Sequence, residues 1–371
     1  MSFTDSRQAR AAMPGRPSPA RVGVIGAGTI SRNYVAHAVD FGLEVVAVAD
    51  LDPERARSAA EEHGIAAVSP VDELPHRADV DVVLNLTVPA AHAEVTGAAI
   101  EAGKHVYVEK PLAVWREDGR RLVEAAADAG VRLGVAPDTF LGDGMQTCRR
   151  LIDAGAIGEP VGGAVVMACH GHESWHPSPE FYYQAGGGPL MDMGPYHITA
   201  LVSLLGPVRR VSAASRVSLA ERTIGSGPRA GTRFPVEVPT HIAGVLELAS
   251  GAIVSLLMTF DVWAARLPPF ELFGTEGSLD GPDPNTFAGP VLVWPASRRE
   301  WEPMPLHRSG RPQTRGLGLA EMMAAIAGGR PHRASGQLGL HVLDVMNCLV
   351  ESAALGRHVT VSTSCARPDP I

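Results

Sequence analysis

The chain has 371 residues, 45% hydrophobic and 19% charged, a balance that excludes general disorder and a length that calls for two domains rather than one. Its net charge of −8 argues against nucleic acid or an anionic membrane as partner, and it has no apolar run of about 18 residues that would span a bilayer. The four cysteines, Cys148, Cys169, Cys348 and Cys365, show no paired spacing and read as reduced thiols of a cytoplasmic protein.

Residues 1–20, MSFTDSRQARAAMPGRPSPA, carry arginines but no apolar stretch, and read as a flexible tail rather than a signal peptide. From 21 to about 136, strand and helix signals alternate. RVGVIGAG is a strand entering glycines, 31–41 a helix, LEVVAVAD a strand and PERARSAAEEHG a helix with a glycine stop. VDVVLNLT, AHAEVTGAAIEAG, KHVYVEKP, REDGRRLVEAAADAG and VRLGVAP continue the alternation. Strands separated by helices of this length predict a doubly wound parallel sheet over 21–140. After a helix at 142–155 the pattern changes to long strands with short connections: VGGAVVMACH, RRVSAASRVS, HIAGVLELAS, AIVSLLMTFDVW, FELFGTEGSLDG and PVLVWP. They predict an open, mostly antiparallel sheet over 141–371, with helices on one face at 186–205, 316–328 and 336–356. The last two helices are expected to pack back on the first domain.

The first chemical signal is VGVIGAGTIS at 22–31. Gly26 suits a tight turn and Gly28 a close approach of backbone to a pyrophosphate, while Thr29 and Ile30 open the helix whose N-terminus would face it. Ser31 stands where a third glycine is usual. Asp50 ends the second strand, 22 residues on from Gly28, where a carboxylate bonds the adenosine ribose hydroxyls. NAD is therefore expected. Arg32 leaves NADP open, because a nearby cation can hold a 2′-phosphate. Glu109 and Lys110 in VYVEKPLA lie at the C-terminal edge of a parallel strand, where open α/β sheets bind ligands.

VGVIGAGTIS, VADLDPERA, LNLTVPAAHAEV, AGKHVYVEKPLA and GGGPLMDMGPYHITAL, in that order, resemble the glucose–fructose oxidoreductase / inositol dehydrogenase (Gfo/Idh/MocA) family over nearly the whole chain. The resemblance implies a Rossmann domain followed by an open-sheet domain that often mediates oligomers. It implies an NAD(P)-dependent oxidoreductase for a sugar, cyclitol or related polyol. It assigns the family's EKP lysine to Lys110, as the group that binds and polarises the reacting oxygen, and allows a cis Lys110–Pro111 bond. Thr87, Pro89 and His92 match the TxPxxxH stretch that lies beside the cofactor.

The family's usual motif has an aspartate and, four residues later, a histidine that transfers the proton. Here Asp192 is followed at that distance by Tyr196, and His197 is one residue further. Residues four apart share a helix face, so Tyr196 is expected beside Asp192 and His197 swung away. A helix starting close to Asp192 would accommodate Pro195 near its beginning. On this reading Lys110, Asp192 and Tyr196 handle the proton, with Lys110 favouring the phenolate; His197 is the second candidate.

In CHGHESWH at 169–176, His170 and His172 would share a strand face, but zinc needs a third ligand and Cys169 points the other way, so no metal is expected. Trp175, His176, Tyr182 and Tyr183 are expected to contact the substrate. The predicted enzyme is a homodimer or homotetramer acting on a small polyol. The alternatives are an enzyme that retains NAD and cleaves a glycoside by transient oxidation, and a redox-silent nucleotide-binding protein.

Overall fold

The computed structural model describes residues 19–371. The tail expected over 1–20 lies outside the described residues as far as 18, and Ala20 opens the first strand. The first half contains β1 (Ala20–Ile25), α1 (Thr29–His37), β2 (Leu43–Ala49), α2 (Pro53–His63), β3 (Ala67–Val68), β4 (Val82–Asn85), α3 (His92–Glu101), β5 (His105–Val108), α4 (Arg116–Asp128) and β6 (Leu133–Val135). Its six-stranded sheet has the order β3-β2-β1-β4-β5-β6, parallel throughout, with the reversal between β1 and β4 that marks a dinucleotide crevice. Val22, Val24, Val82–Leu84 and Val106–Val108 are buried, as strands covered on both faces require.

The second half contains α5 (Asp143–Asp153), β7 (Pro160–Ala168), α6 (Gly188–Leu205), β8 (Val208–Arg216), β9 (Glu221–Thr223), β10 (Arg233–Pro235), β11 (His241–Leu248), β12 (Ile253–Thr259), β13 (Phe270–Gly274), β14 (Gly277–Asp280), β15 (Leu292–Pro295), β16 (Glu302–Pro303), α7 (Leu317–Ala327), α8 (Gly336–Leu355) and β17 (Val359–Thr360). Nine of these strands form one sheet, β16-β15-β14-β13-β7-β12-β11-β8-β17, antiparallel except for the β7–β12 pair. The pairing of β9 with β10 is a separate small ribbon. Along β11 and β12 buried and exposed residues alternate: Ile242, Leu246, Val254 and Leu256 face the core, Val245 and Ile253 the open side. The helix α6 packs on the covered face and also on α8, which itself lies against α4, β6 and β8.

The α6 helix starts at Gly188, four residues earlier than the position near Asp192 that the sequence suggested, and Pro195 lies within it. Pro189 takes the early position that suits proline, and Gly188 has φ +85°, a left-handed entry that favours glycine. The glycine run 186–188 therefore leads into this helix, ahead of the start expected close to Asp192.

Candidate active site

The C-terminal ends of β1, β2, β4 and β5 lie in register at one edge. Gly26 there has φ +104°, and a Cβ on it would sit 2.6 Å from the Leu86 carbonyl, so only glycine fits the turn. Gly28 caps α1 with extended backbone and no side-chain capping bond, and a Cβ built on it meets nothing within 4 Å. Among the described residues the Thr29 and Ile30 amides of the first turn bond no protein group, which fits the pyrophosphate of a dinucleotide. Ser31 is buried and donates to the Gly28 carbonyl at 2.7 Å, filling the place of the usual third glycine.

Asp50 accepts from the Ala27 amide at 2.7 Å and the Asp52 amide at 2.9 Å, which fixes its carboxylate at the end of β2 beside the turn. Arg32, the cation that left NADP open, points to Glu62 at 3.3 Å. Thr87 donates its hydroxyl to Asn85 at 2.7 Å, and Pro89 starts a single helical turn. His92 is held by the protein on both ring nitrogens. It is 1% exposed, with its ring wedged between the carbonyls of Pro111 (2.6 Å) and Thr87 (3.0 Å), and burial pushes its pKa down. It braces the loop after β4 against the Lys110–Pro111 segment, whose peptide bond is cis. Glu109 spends both oxygens on the protein, accepting from the Tyr34 hydroxyl at 2.7 Å and the Lys110 amide at 3.0 Å.

Lys110 leaves the end of β5 and reaches α6. Its Nζ donates to Asp192 Oδ1 at 2.7 Å and to the Asp192 backbone carbonyl at 2.8 Å. Pro195 has no N–H, so the helical ladder is already broken one residue before that carbonyl's usual partner. Burial would push the Lys110 ammonium down, but Asp192, Tyr196 and Glu109 outweigh it and hold the group above its ordinary value. Burial would likewise raise Asp192; Lys110 and His172 overcome it and hold the carboxylate well below the usual range. The second oxygen of Asp192 bonds His172 Nε2 at 2.9 Å.

Tyr196 does share the Asp192 side of the helix: its ring lies 5.2 Å from Lys110 Nζ. Burial raises the Tyr196 pKa by more than Lys110 and Arg315 lower it, a direction that opposes the expected phenolate. Its hydroxyl oxygen accepts from Arg315 at 3.2 Å. His197, the second candidate, is a correction too. It is 1% exposed and its Nδ1 pairs with the Met193 carbonyl at 3.1 Å, one helical turn back and away from Lys110.

The 169–185 segment brings some predicted contacts to the site and not others. The Tyr182 ring lies 4.3 Å from that of His172, Trp175 is exposed at 5.3 Å from it, and His176 stands edge-on to Tyr182 at 5.5 Å. Burial, with Asp192 adding to it, pushes the Tyr182 hydroxyl up to about 12. Tyr183 is not a substrate contact: it is 0% exposed and donates its hydroxyl to Glu173 inside the loop. His170 does not join His172 on a metal; it stacks on Trp263 at 3.4 Å. Two residues at the site carry little signal in the sequence. His172 reads there only as half of a possible metal pair, and nothing local marks Arg315, just ahead of α7. Asp138, fully buried, bonds Arg315 at 3.3 Å and the Gly316 and Gly318 amides at 3.0 and 3.1 Å, and so locks that segment over Tyr196.

Residues 20–136 match the profile of an oxidoreductase family with an NAD-binding Rossmann fold, and residues 145–280 that of the GFO/IDH/MocA C-terminal domain. A 1,5-anhydro-D-fructose reductase of Ensifer adhaerens is 33% identical over 352 residues, 92% of this chain and 99% of that protein. An inositol 2-dehydrogenase of Saccharopolyspora erythraea is 42% identical over 144 residues, 38% of this chain and 43% of that one. A levoglucosan dehydrogenase solved with NADH and levoglucosan superposes with a TM-score of 0.79 at 25% identity, covering 93% of this chain and 100% of that chain. With a Rossmann cradle opening onto a lysine–aspartate pair, this chain belongs to the GFO/IDH/MocA family of NAD-dependent oxidoreductases.

Proposed function

We propose that the substrate is a sugar, cyclitol or related polyol whose secondary alcohol is oxidised, or whose ketone is reduced. The carrying observation is the Lys110–Asp192 pair, 2.7 Å apart, with Lys110 just past the end of β5 and Asp192 on α6. Bound NAD supplies the hydride acceptor or donor. Lys110 polarises the reacting oxygen, and the Tyr196 hydroxyl, whose oxygen accepts from Arg315, keeps its own hydrogen for a substrate oxygen. Trp175 and Tyr182 present aromatic surface suited to a sugar ring. The printed substrates of the relatives, an anhydrofructose, an inositol and levoglucosan, are cyclic polyols and support the same class.

The test is a panel of sugars and cyclitols with NAD, and of their ketones with NADH, followed by NADH absorbance. Turnover of a cyclic polyol is expected; NADH binding with no turnover of any member would overturn the reading. We further place the chain in a reducing, cytoplasmic setting, on its scattered thiols, and as a homo-oligomer using the open face with Val245 and Ile253. Sedimentation of wild type and of Ile253→Lys tests the latter.

A further inference from the structure

Oxidising an alcohol requires a group that takes the hydroxyl proton, and the groups nearest the reacting position are poorly suited. Lys110 has two hydrogens committed to Asp192, Asp192 is bonded to Lys110 and His172, and the Tyr196 oxygen accepts from Arg315, with burial pushing its pKa up. The position four residues after Asp192 has no histidine. A histidine nonetheless reaches the same carboxylate from another part of the chain.

We propose that His172, delivered by the 169–185 segment rather than by α6, is the acid/base of the reaction, with Nδ1 as the proton-carrying atom and Asp192 as the carboxylate that orients it. The inference rests on the reading above. An ionised carboxylate only accepts, so the 2.9 Å bond from Nε2 to Asp192 Oδ2 fixes the hydrogen of the neutral imidazole on Nε2. Nδ1 is then a bare lone pair. It has no hydrogen-bond partner among the described residues and is not sealed away from solvent. A carboxylate on one ring nitrogen and a free lone pair on the other is the arrangement of a general base.

The ring is also held in place. Tyr182 and Phe260 flank it at 4.3 and 4.8 Å, and its backbone amide donates to the Tyr183 hydroxyl at 3.3 Å. Tyr183 in turn donates to Glu173, which is buried against Arg222 at 2.6 Å. Gly171, with φ +83°, makes the turn before it, and a Cβ there would collide with the Tyr183 hydroxyl and the Glu173 carboxylate. The charged and titratable groups facing the imidazole are Asp192 of α6, Lys110 behind it, and Tyr182, Tyr183, His176 and Glu173 of its own segment; Arg222 is engaged by Glu173 and Asp261. An imidazole is the side chain whose ordinary pKa lies nearest neutrality.

In the oxidative direction the O–H bond breaks and its proton goes to Nδ1, directly or through one water. The C–H bond breaks and its hydrogen leaves with both electrons to the oxidised nicotinamide. The carbon–oxygen double bond forms, and the imidazolium passes its proton to solvent. Reduction reverses each step.

The test compares kcat/KM against pH for wild type, His172→Ala and Tyr196→Phe. His172→Ala should lose about 10²–10⁴ in kcat, lose the acid limb of the profile and regain rate with added imidazole, while Tyr196→Phe keeps that limb. An unchanged acid limb in His172→Ala overturns the proposal. A second measurement needs no turnover: the His172 ring nitrogens are read by 15N NMR in the NAD-loaded protein. The hydrogen of the neutral ring should sit on Nε2 and leave Nδ1 bare, and Asp192→Asn should weaken that preference; a hydrogen fixed on Nδ1 would overturn the proposal. If wild type oxidises no polyol, the substrate reading fails while the tautomer still decides the role of His172.

Discussion

Asp192→Asn removes one charge from a pair whose side chains are only 16% and 14% exposed, and leaves the Lys110 ammonium buried without its counter-charge. Removing one partner of such a pair costs about 3–5 kcal/mol. The amide keeps an acceptor for Nζ, so the lower end, about 3 kcal/mol, is expected. At about 2.1 cal/mol/K per residue, 371 residues unfolding as one unit have an entropy of about 0.8 kcal/mol/K, so Tm falls by about 4 °C. The pH dependence is set by both partners. Asp192 has a depressed folded pKa, so its contribution is full above the unfolded value of about 3.9 and is lost as pH falls through the folded one. Lys110 has a raised folded pKa, so its contribution is full below about 10.4 and is lost as pH rises through the folded one. The Tm gap between wild type and variant, measured by calorimetry, should therefore be open between these limits and close at both extremes. A gap under about 1 °C at pH 7, or one that persists undiminished at both extremes, would refute the reasoning.

Gly28→Ala should leave Tm unchanged, since nothing lies within 4 Å of the new carbon, yet weaken NADH binding at least about tenfold by fluorescence titration, because the methyl stands where the pyrophosphate approaches. Gly26→Ala, which meets the Leu86 carbonyl at 2.6 Å, should instead lower both Tm and yield. Asp50→Ala should raise the NADH dissociation constant by about 10- to 100-fold, the loss of a charged hydrogen bond of about 1.5–3 kcal/mol, and raise that for NADPH far less. Tyr183→Phe should cost about 1–3 kcal/mol of stability by urea titration with KM little changed, whereas Trp175→Ala should raise KM with stability intact.

The two sheets were legible because their periodicities differ: continuous apolar strands between helices in one half, alternating strands with tight turns in the other. Gly26, Gly28 and Asp50 could be read from their place around a strand–turn–helix unit. The order of Asp192 and Tyr196 on one helix face was also legible, because residues four apart share a side and α6 runs unbroken through Pro195. The electrostatics of Tyr196 were not. The EKP motif points to Lys110 but not to the burial that opposes it, nor to Arg315, 119 residues beyond Tyr196. His92, His197 and Tyr183 look alike in a sequence whether they face a cleft or fill a core, and only packing separates the two. The two-residue strands β3, β16 and β17 carry too few side chains to show any period.

An ammonium has three hydrogens, and Lys110 commits two of them to a single residue, the Asp192 side chain and its backbone carbonyl. One is left. A ring bearing several hydroxyls is therefore met by a cation that can grip one oxygen at a time, along one direction fixed by two bonds of 2.7 and 2.8 Å. The regiochemistry of the reaction follows from that arithmetic: the carbon that reacts is the one whose oxygen fits the last free hydrogen, and its neighbours on the ring are left to the walls of the cleft.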